Sequence, residues 1–268
     1  MIITETNQTE KIQKSYNYKQ ELNTDLKLSN IKIALVLPAF NEEKNIGYVL
    51  SNIFPFYSEN MDIIVVDDGS SDKTVKVAKN YDTLILYHQE NKGNGAATIT
   101  GLNFCKNNDY DLTIILDADG QHDPNFIPLF IKKIVNDKAD FVIGNRFNYY
   151  YDMNPVKKIC SKLLTVFYFF LYGKKISDPS NGYRALSKKI LQENSFESYY
   201  SITQEMLFKV LPKYKCKEIP IKLKSRREGK SFIKIKKYFG IIISSFLKFY
   251  ILEKLDKFYN TFFKKSEK

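Results

Sequence analysis

The chain is predicted to fold as an α/β domain built on a mainly parallel central sheet. Short apolar runs alternate with helix-forming stretches roughly every 25–30 residues as far as about residue 150. The runs are continuously apolar rather than alternating, as strands covered on both faces require. The residues able to do chemistry recur just past the ends of these runs, where such sheets bind ligands: Pro38, Asp67, Lys92, Asp117 and Arg146.

Residues 31–37 (IKIALVL) form the first expected strand, stopped by Pro38. Asn41-Glu42-Glu43 then opens a helix, its acidic residues suited to the first turn. Residues 62–66 (DIIVV) are the second strand, and Ser70, Ser71 or Asp72 is placed to cap the helix that follows. The third strand is 83–87, followed by Asn91-Lys92-Gly93-Asn94-Gly95 and an alanine-containing helix. Residues 112–116 and 141–143 are the fourth and fifth strands. Beyond residue 150 the alternation stops. An aromatic-rich helix, a turn at 178–184 leading into a strand, a helix at 204–211, a strand at 219–223 and a basic glycine loop at 226–231 come next. Amphipathic helix completes the chain, and no internal repeat is present.

With 268 residues, 44% of them hydrophobic, one sizeable domain suffices. Three cysteines without CxxC spacing argue for a reducing compartment and against a disulfide framework or zinc site. Residues 205–268 hold 18 of the 41 Lys and Arg but only 6 of the 30 Asp and Glu, so the net charge of +11 is a C-terminal property. An anionic membrane surface, a phosphorylated substrate or nucleic acid would suit it. The first 30 residues are polar, lack the apolar core of a signal sequence, and read as a flexible extension. No apolar stretch reaches the roughly 18–20 residues of a spanning helix. Residues 163–172 and 239–252 read instead as helices lying on a surface.

Asp117-Ala118-Asp119 carries the sharpest chemistry. Strand side chains alternate faces, so an Asp-x-Asp at a fraying strand end turns both carboxylates toward one point. Like charges that close repel unless a cation neutralises them, and a hard divalent ion with a phosphate partner does so. Residues 93–98 (GNGAAT) hold most of a dinucleotide fingerprint, but after the third strand and with Thr98 for the last glycine. Close packing of a helix start against the sheet accounts for their small size.

Six segments occur in order: LPAFNEEKNI (37–46), VVDDGSSDKT (65–74), NKGNGAA (91–97), LDADGQHDP (116–124), IGNRF (143–147) and DPSNGYR (178–184). Together they resemble family 2 glycosyltransferases of the GT-A fold, a Rossmann-like nucleotide-diphospho-sugar transferase architecture. More narrowly, they resemble the polyprenyl-phosphate (dolichyl-phosphate) sugar synthases. The resemblance covers roughly residues 32–231 and implies a GT-A catalytic domain over 31–231, between the extension 1–30 and a basic amphipathic helical segment 232–268 at a membrane surface. It implies Mg2+ or Mn2+ held by Asp119 and Gln121, with Asp117 on metal or ribose. Pro38, Phe40, Glu42, Asp67, Lys92, Asp117 and Ala118 would bind the donor. Arg146, Arg184, Arg226, Lys230 and Ser231 would meet the acceptor phosphate. Asp178 would serve as base or orienter, so that Asp117, Asp119, Arg146, Asp178 and Arg184 form the catalytic set. Glu205 reads as an ordinary helix acid and His122 as a loop residue.

Arg226-Arg227-Glu228-Gly229-Lys230-Ser231 departs from the family's loop, since Phe232 stands where a lysine usually follows. The implied reaction is inverting transfer of a hexose from a nucleotide-diphosphate sugar to polyprenyl phosphate, serving glycan or protein glycosylation. UDP-glucose is slightly favoured as donor, and GDP-mannose stays open. The enzyme would be peripheral, on the cytoplasmic face of a membrane, with a membrane-anchoring partner as an option. A hydroxyl acceptor within the same fold is the alternative, and a nucleic-acid binder a remote one, which leaves Asp-x-Asp unexplained.

Overall fold

The computed structural model describes residues 31–148, 155–199, 201–224 and 251. Seven strands form one sheet: β1 (Ile33–Ala39), β2 (Met61–Asp67), β3 (Leu84–Tyr87), β4 (Leu112–Ile115), β5 (Phe141–Asn145), β6 (Arg184–Ser187) and β7 (Cys216–Pro220). Their order is β3-β2-β1-β4-β6-β5-β7. Only β6 runs against its neighbours, pairing antiparallel with β4 and β5. The reversal matters for the site. The parallel strands deliver their carboxyl ends to one edge, and β6 delivers its start there, with Arg184 opposite Ile115 and Ile143. The turn at 178–183 therefore joins the same edge as the motifs that follow β1, β2, β4 and β5.

All seven residues of β1 are buried, and they divide between two cores by the two-residue period of a strand. Ile33, Leu35 and Leu37 pack with Ile46 and Leu50 of α1 (Ile46–Ile53) and Phe130 of α4 (Ile127–Val135). Ala34 and Val36 face Ala97 and Leu102 of α3 (Asn94–Asn107), within the cluster that also holds Tyr168 of α5 (Pro155–Tyr172), Ile190 of α6 (Lys188–Glu193) and Leu207 of α7 (Ile202–Val210). Each buried aliphatic contributes about 1.5–3 kcal/mol, which is why the central strands need no polar registration. Edge strand β3 has only four residues, with Leu84 and Tyr87 exposed.

Two expected boundaries move. The helix after β1 begins at Ile46, not at Asn41, and has no acidic residue in its first turn. Asn41 sits at φ 54, outside the right-handed helical region. The amides of Asn41, Glu42 and Glu43 are taken by Ser70 Oγ, Thr74 Oγ1 and Asp72 Oδ2, so side chains of the next motif replace the first helical turn. Asp72 also accepts from the amide of Thr74, the first residue of α2 (Thr74–Ala78), which singles it out among the three expected caps. The last strand begins at Cys216 rather than 219, because β5 supplies a parallel partner for residues 216–220. Apolarity marked only its buried end, Ile219, and Ile221 just beyond it. The extension 1–30 and nearly all of 232–268 lie outside the described residues.

Candidate active site

At the end of β4 exposure alternates: Asp117, Asp119 and Gln121 are part-exposed, while Ala118, Gly120 and His122 are buried. The three oxygen-bearing side chains expected to hold a metal are thus all part-exposed. Asp119 Oδ1 accepts from the amide of Gln121 at 2.9 Å, which closes the turn, and Gly120 supplies its left-handed φ of 79. No group of three His, Cys, Asp or Glu suited to a metal occurs among the described residues. Two carboxylates and an amide oxygen nevertheless fit Mg2+ or Mn2+, which bind oxygen and draw remaining ligands from water and phosphate.

His122 belongs to this turn as a pin. Its Nδ1 accepts the amide N–H of Asp117 at 2.9 Å, its ring stacks on Tyr183 with centroids 4.9 Å apart, and it is 4% exposed. Accepting at Nδ1 leaves the proton on Nε2. The expectation of a plain loop residue misses this role. The signal was compositional: the chain has two histidines, and both bind motif residues.

Asp67, at the end of β2, is 4% exposed. One carboxylate oxygen accepts from the amide of Ser70, and the other is buried with no hydrogen-bond partner among the described residues. A buried acceptor left this way costs about 1–3 kcal/mol unless a water or a ligand donates to it. Pro38 is buried in β1 opposite Val66, one position before the Ala39 that pairs with Asp67, and Phe40 is part-buried. Glu42 is 7% exposed and accepts from Asn45 Nδ2 at 2.6 Å, holding the turn before α1. Ala118 is buried against the sheet. Lys92 is exposed, and its amide donates to Asp68.

The small residues at 93–98 divide: Ala97 packs against Ala34 and Val36 of the sheet, as expected, while Gly95 serves another neighbour. A Cβ on Gly95 would fall 1.8 Å from the Tyr199 carbonyl oxygen, so this glycine admits the 195–199 segment rather than the sheet. Gly101, a turn and a half further on, meets β1 through Val36, on the face that also carries Ala97. Glu205 holds the same segment. It is 2% exposed, accepts from the amides of Glu197 and Ser198, and pairs with Lys209 at 2.6 Å, which accounts for it as a structural acid.

The 178–184 segment holds a charged network facing inward. Asp178 is wholly buried and pairs with Arg146 twice, Oδ2 to Nε at 2.8 Å and Oδ1 to Nη2 at 3.0 Å. Arg146 Nη2 also donates to Ser180 Oγ, which lies 3.2 Å from Ser161 Oγ of α5. Glu218 of β7 accepts from the amides of Ser177 and Asp178. Burial, helped by the charge of Asp178, raises the Glu218 carboxyl above its ordinary value, and those two amides oppose the rise. Arg184 stands apart from the acceptor cation that the resemblance implies. It is 0% exposed and donates to the backbone carbonyls of Asn181, Thr203 and Pro179, so its guanidinium is a clamp inside the fold. Burial lowers it to about 10, which still leaves a cation at neutral pH.

Lys224 is held against the turn that follows β4. Its amide donates to the Gln121 carbonyl, and its ammonium pairs with Asp123 at 3.0 Å. Arg226 follows two residues later; it, Lys230 and Ser231 lie outside the described residues.

Helix α5 has two apolar faces. Cys160, Leu164 and Tyr168 are buried, and Tyr168 donates to Gln204 Oε1 of α7 at 2.9 Å. Val156, Ile159, Leu163, Val166 and Phe170 are exposed at alternating spacings of three and four, with Phe169 beside them. The expected surface helix is thus half core. No helix among the described residues is long and apolar enough to cross a membrane.

Residues 34–194 match the family model of glycosyl transferase family 2. The UDP-N-acetylglucosamine–dolichyl-phosphate N-acetylglucosaminyltransferase of Methanococcus voltae is 34% identical over 214 residues, covering 71% of this chain and 84% of that protein. The dolichol-phosphate mannosyltransferase of Pyrococcus furiosus is 30% identical over 221 residues, covering 78% of this chain and 61% of that protein. Among solved structures, glucosyl-3-phosphoglycerate synthase from Mycobacterium tuberculosis, crystallised with Mn2+, UDP and glucosyl-3-phosphoglycerate, superposes with a TM-score of 0.69. It covers 86% of this chain and 83% of its own at 19% identity, a likeness of fold.

Proposed function

Since the chain belongs to glycosyl transferase family 2, in its polyprenyl-phosphate sugar transferase branch, we propose that it transfers a hexose, with inversion, from a nucleotide-diphosphate sugar to polyprenyl or dolichyl phosphate. The observation that supports this reading is the alternation of exposure at the end of β4, which leaves Asp117, Asp119 and Gln121 part-exposed at the same sheet edge as Asp67, whose buried Oδ1 has no hydrogen-bond partner among the described residues. A divalent ion held there would supply Lewis-acid neutralisation of the diphosphate leaving group.

Asp67 accepts a ring N–H of the base, an acceptor that suits uracil or guanine alike. Pro38 and Phe40 line the nucleoside and Lys92 reaches the phosphates. In the reaction an acceptor phosphate oxygen bonds to the anomeric carbon as the bond from that carbon to the diphosphate oxygen breaks. A phosphate is already an oxyanion at neutral pH, so the acceptor needs positioning and charge compensation rather than a base. The pairing of Asp178 with Arg146 supports this, because a carboxylate spent on a guanidinium orients it better than it takes a proton. Arg146 faces the attacking phosphate, together with Arg226 and Lys230, which follow in sequence on Lys224. UDP-sugars lead as donors, UDP-N-acetylglucosamine joining UDP-glucose on the strength of the Methanococcus relative, with GDP-mannose next.

The outer stripe of α5 supports work at a membrane surface, on the cytoplasmic face, with glycan or protein glycosylation as the use of the product. Phe170 is 82% and Leu163 59% exposed, and Lys158 and Lys162 are exposed on the same helix, a composition suited to the headgroup boundary of anionic lipid. Changing Leu163 and Phe170 together to Ser should abolish co-sedimentation with phosphatidylserine vesicles and leave the melting temperature within about 2 °C. Unchanged sedimentation would remove the helix from the membrane.

The central test is transfer of labelled sugar from UDP-N-acetylglucosamine, UDP-glucose or GDP-mannose to a short polyprenyl phosphate, with Mg2+ or with EDTA. A metal-dependent, organic-extractable product from one donor is expected. No product from any donor, while UDP or GDP still binds, would favour a hydroxyl acceptor.

A further inference from the structure

The turn that aims Arg146 is held from two sides, by a strand and by a helix. Arg146 directs Nε and Nη2 at Asp178 and Nη2 also at Ser180 Oγ, so the 178–180 turn fixes the plane of its guanidinium. Asp178 Oδ2 accepts from the Arg146 amide as well, at 3.1 Å, which ties the root of the arginine to the same carboxylate. A displaced turn therefore moves the guanidinium with it. On one side stands Glu218 of the edge strand β7. Its Oε1 accepts the amide of Ser177 at 2.8 Å and that of Asp178 at 3.1 Å. The parallel register sets Glu218 opposite Ile143 of β5, and Arg146 follows β5 directly. The strand that leads to the arginine and the strand that holds its turn are thus hydrogen-bonded neighbours.

On the other side stands α5. Ser161 is 0% exposed, and its Oγ lies 3.2 Å from Ser180 Oγ. One turn further on, Thr165 directs its hydroxyl at the carbonyls of Ser161 and Ser177, at 3.2 and 3.3 Å. At 100° per residue, 161 and 165 share one side of the helix, and the exposed Leu163 and Phe170 occupy the opposite side. Packing at 161 needs no hydroxyl. What the hydroxyl adds is its contact with the turn, so the helix with the exposed apolar stripe is bonded on its inner side to the group that orients Arg146.

We infer that Glu218 and Ser161 are positioning residues for the acceptor, which set the KM for the lipid phosphate by fixing the direction of Arg146 through the 177–180 turn. The inference rests on the proposed reading of Arg146 as a group that meets the acceptor phosphate. Both residues act through the turn rather than on a substrate. A purely structural role would instead lower melting temperature and kcat and shift neither KM selectively.

The test is steady-state transfer to a short polyprenyl phosphate from UDP-N-acetylglucosamine, UDP-glucose or GDP-mannose, whichever wild type uses. Binding of UDP and GDP by calorimetry and melting temperature are measured beside it. Glu218→Gln keeps a carbonyl for the two amides, Glu218→Ala gives them up, and Ser161→Ala removes the hydroxyl of α5. Glu218→Ala should raise acceptor KM about tenfold and Ser161→Ala about threefold, the losses expected of a hydrogen bond to a charged and to a neutral group. Donor KM and nucleotide affinity should stay within about twofold in both, and Glu218→Gln should recover acceptor KM to within about threefold of wild type. Should Glu218→Ala not fold, Ser161→Ala decides. Unchanged acceptor KM in either folded variant overturns the inference, as does an equal rise of donor and acceptor KM. A Glu218→Gln as impaired as Glu218→Ala also overturns it, because charge rather than the bonds to the turn would then matter. Wild type that transfers nothing to polyprenyl phosphate overturns the acceptor reading itself, and with it the premise.

Discussion

The donor edge and the 178–184 turn are both rich in charge, and they use it in opposite ways. Around β4 the carboxylates of Asp117 and Asp119 are part-exposed, and Asp67 keeps a buried oxygen without a partner among the described residues. In the turn, Asp178 and Arg184 are wholly buried, one paired with Arg146 and the other spread over three carbonyls. A desolvated charge that already has its partners would have to give one up to take a ligand, at several kcal/mol. Such a charge sets geometry, and a charge at the mouth is available for binding.

The contrast is broken or sharpened first at Asp119. Asp119→Asn should reduce transfer by about a thousandfold with little change in melting temperature, since it removes charge from the mouth while the asparagine carbonyl can still accept from the amide of Gln121. Full activity at saturating Mg2+ or Mn2+ would sink the metal assignment. On the other side, Asp178→Ala should cost about 3–5 kcal/mol in urea unfolding, because Arg146 loses its buried partner. Asp178→Asn keeps an acceptor for Arg146 and should recover most of that stability together with activity. A stable but inactive Asp178→Asn would make the carboxylate a base and undo the contrast.

A smaller effect is expected at Arg184. Lysine cannot reproduce a planar fork onto three carbonyls, so Arg184→Lys should lose about 2 kcal/mol of stability and keep its KM for the lipid phosphate. A raised acceptor KM with unchanged stability would return Arg184 to the acceptor side.

The smallest effect concerns pH at Glu218. Its folded carboxyl lies above the ordinary 4.5, so the folded state holds the proton to higher pH than the unfolded chain does. The stability this contributes is full below the unfolded value and is lost as pH rises through the raised folded value. Glu218→Gln removes the titration, and thermal melts from about pH 4 to about pH 7 should shift in the variant's favour as pH rises. Parallel curves for the two proteins would show that the carboxyl has no part in the pH dependence.

Much of this was legible in residue order. The strands announced themselves because strands buried on both faces must be continuously apolar, and β1 to β5 were each placed within a few residues. The part-exposure of Asp117, Asp119 and Gln121 was legible in the x-D-x-D-x-Q alternation at a strand end. The start of α1 was not legible, since the groups replacing its first turn, Ser70, Asp72 and Thr74, come from about 30 residues away. Arg184 misled for a related reason. A motif shows that an arginine is present but not which way its side chain points.

Local order thus decided the strands, the clustering of polar residues at their carboxyl ends and the family, because periodicity and motif order need no knowledge of distant neighbours. Tertiary structure alone decided which charges are spent. The reversed strand β6 brings residues 178–184 to the donor edge, and burial there turns Asp178 and Arg184 inward, while the same edge leaves Asp117 and Asp119 facing out. Desolvation depends on every neighbour at once, so no single stretch of chain encodes it.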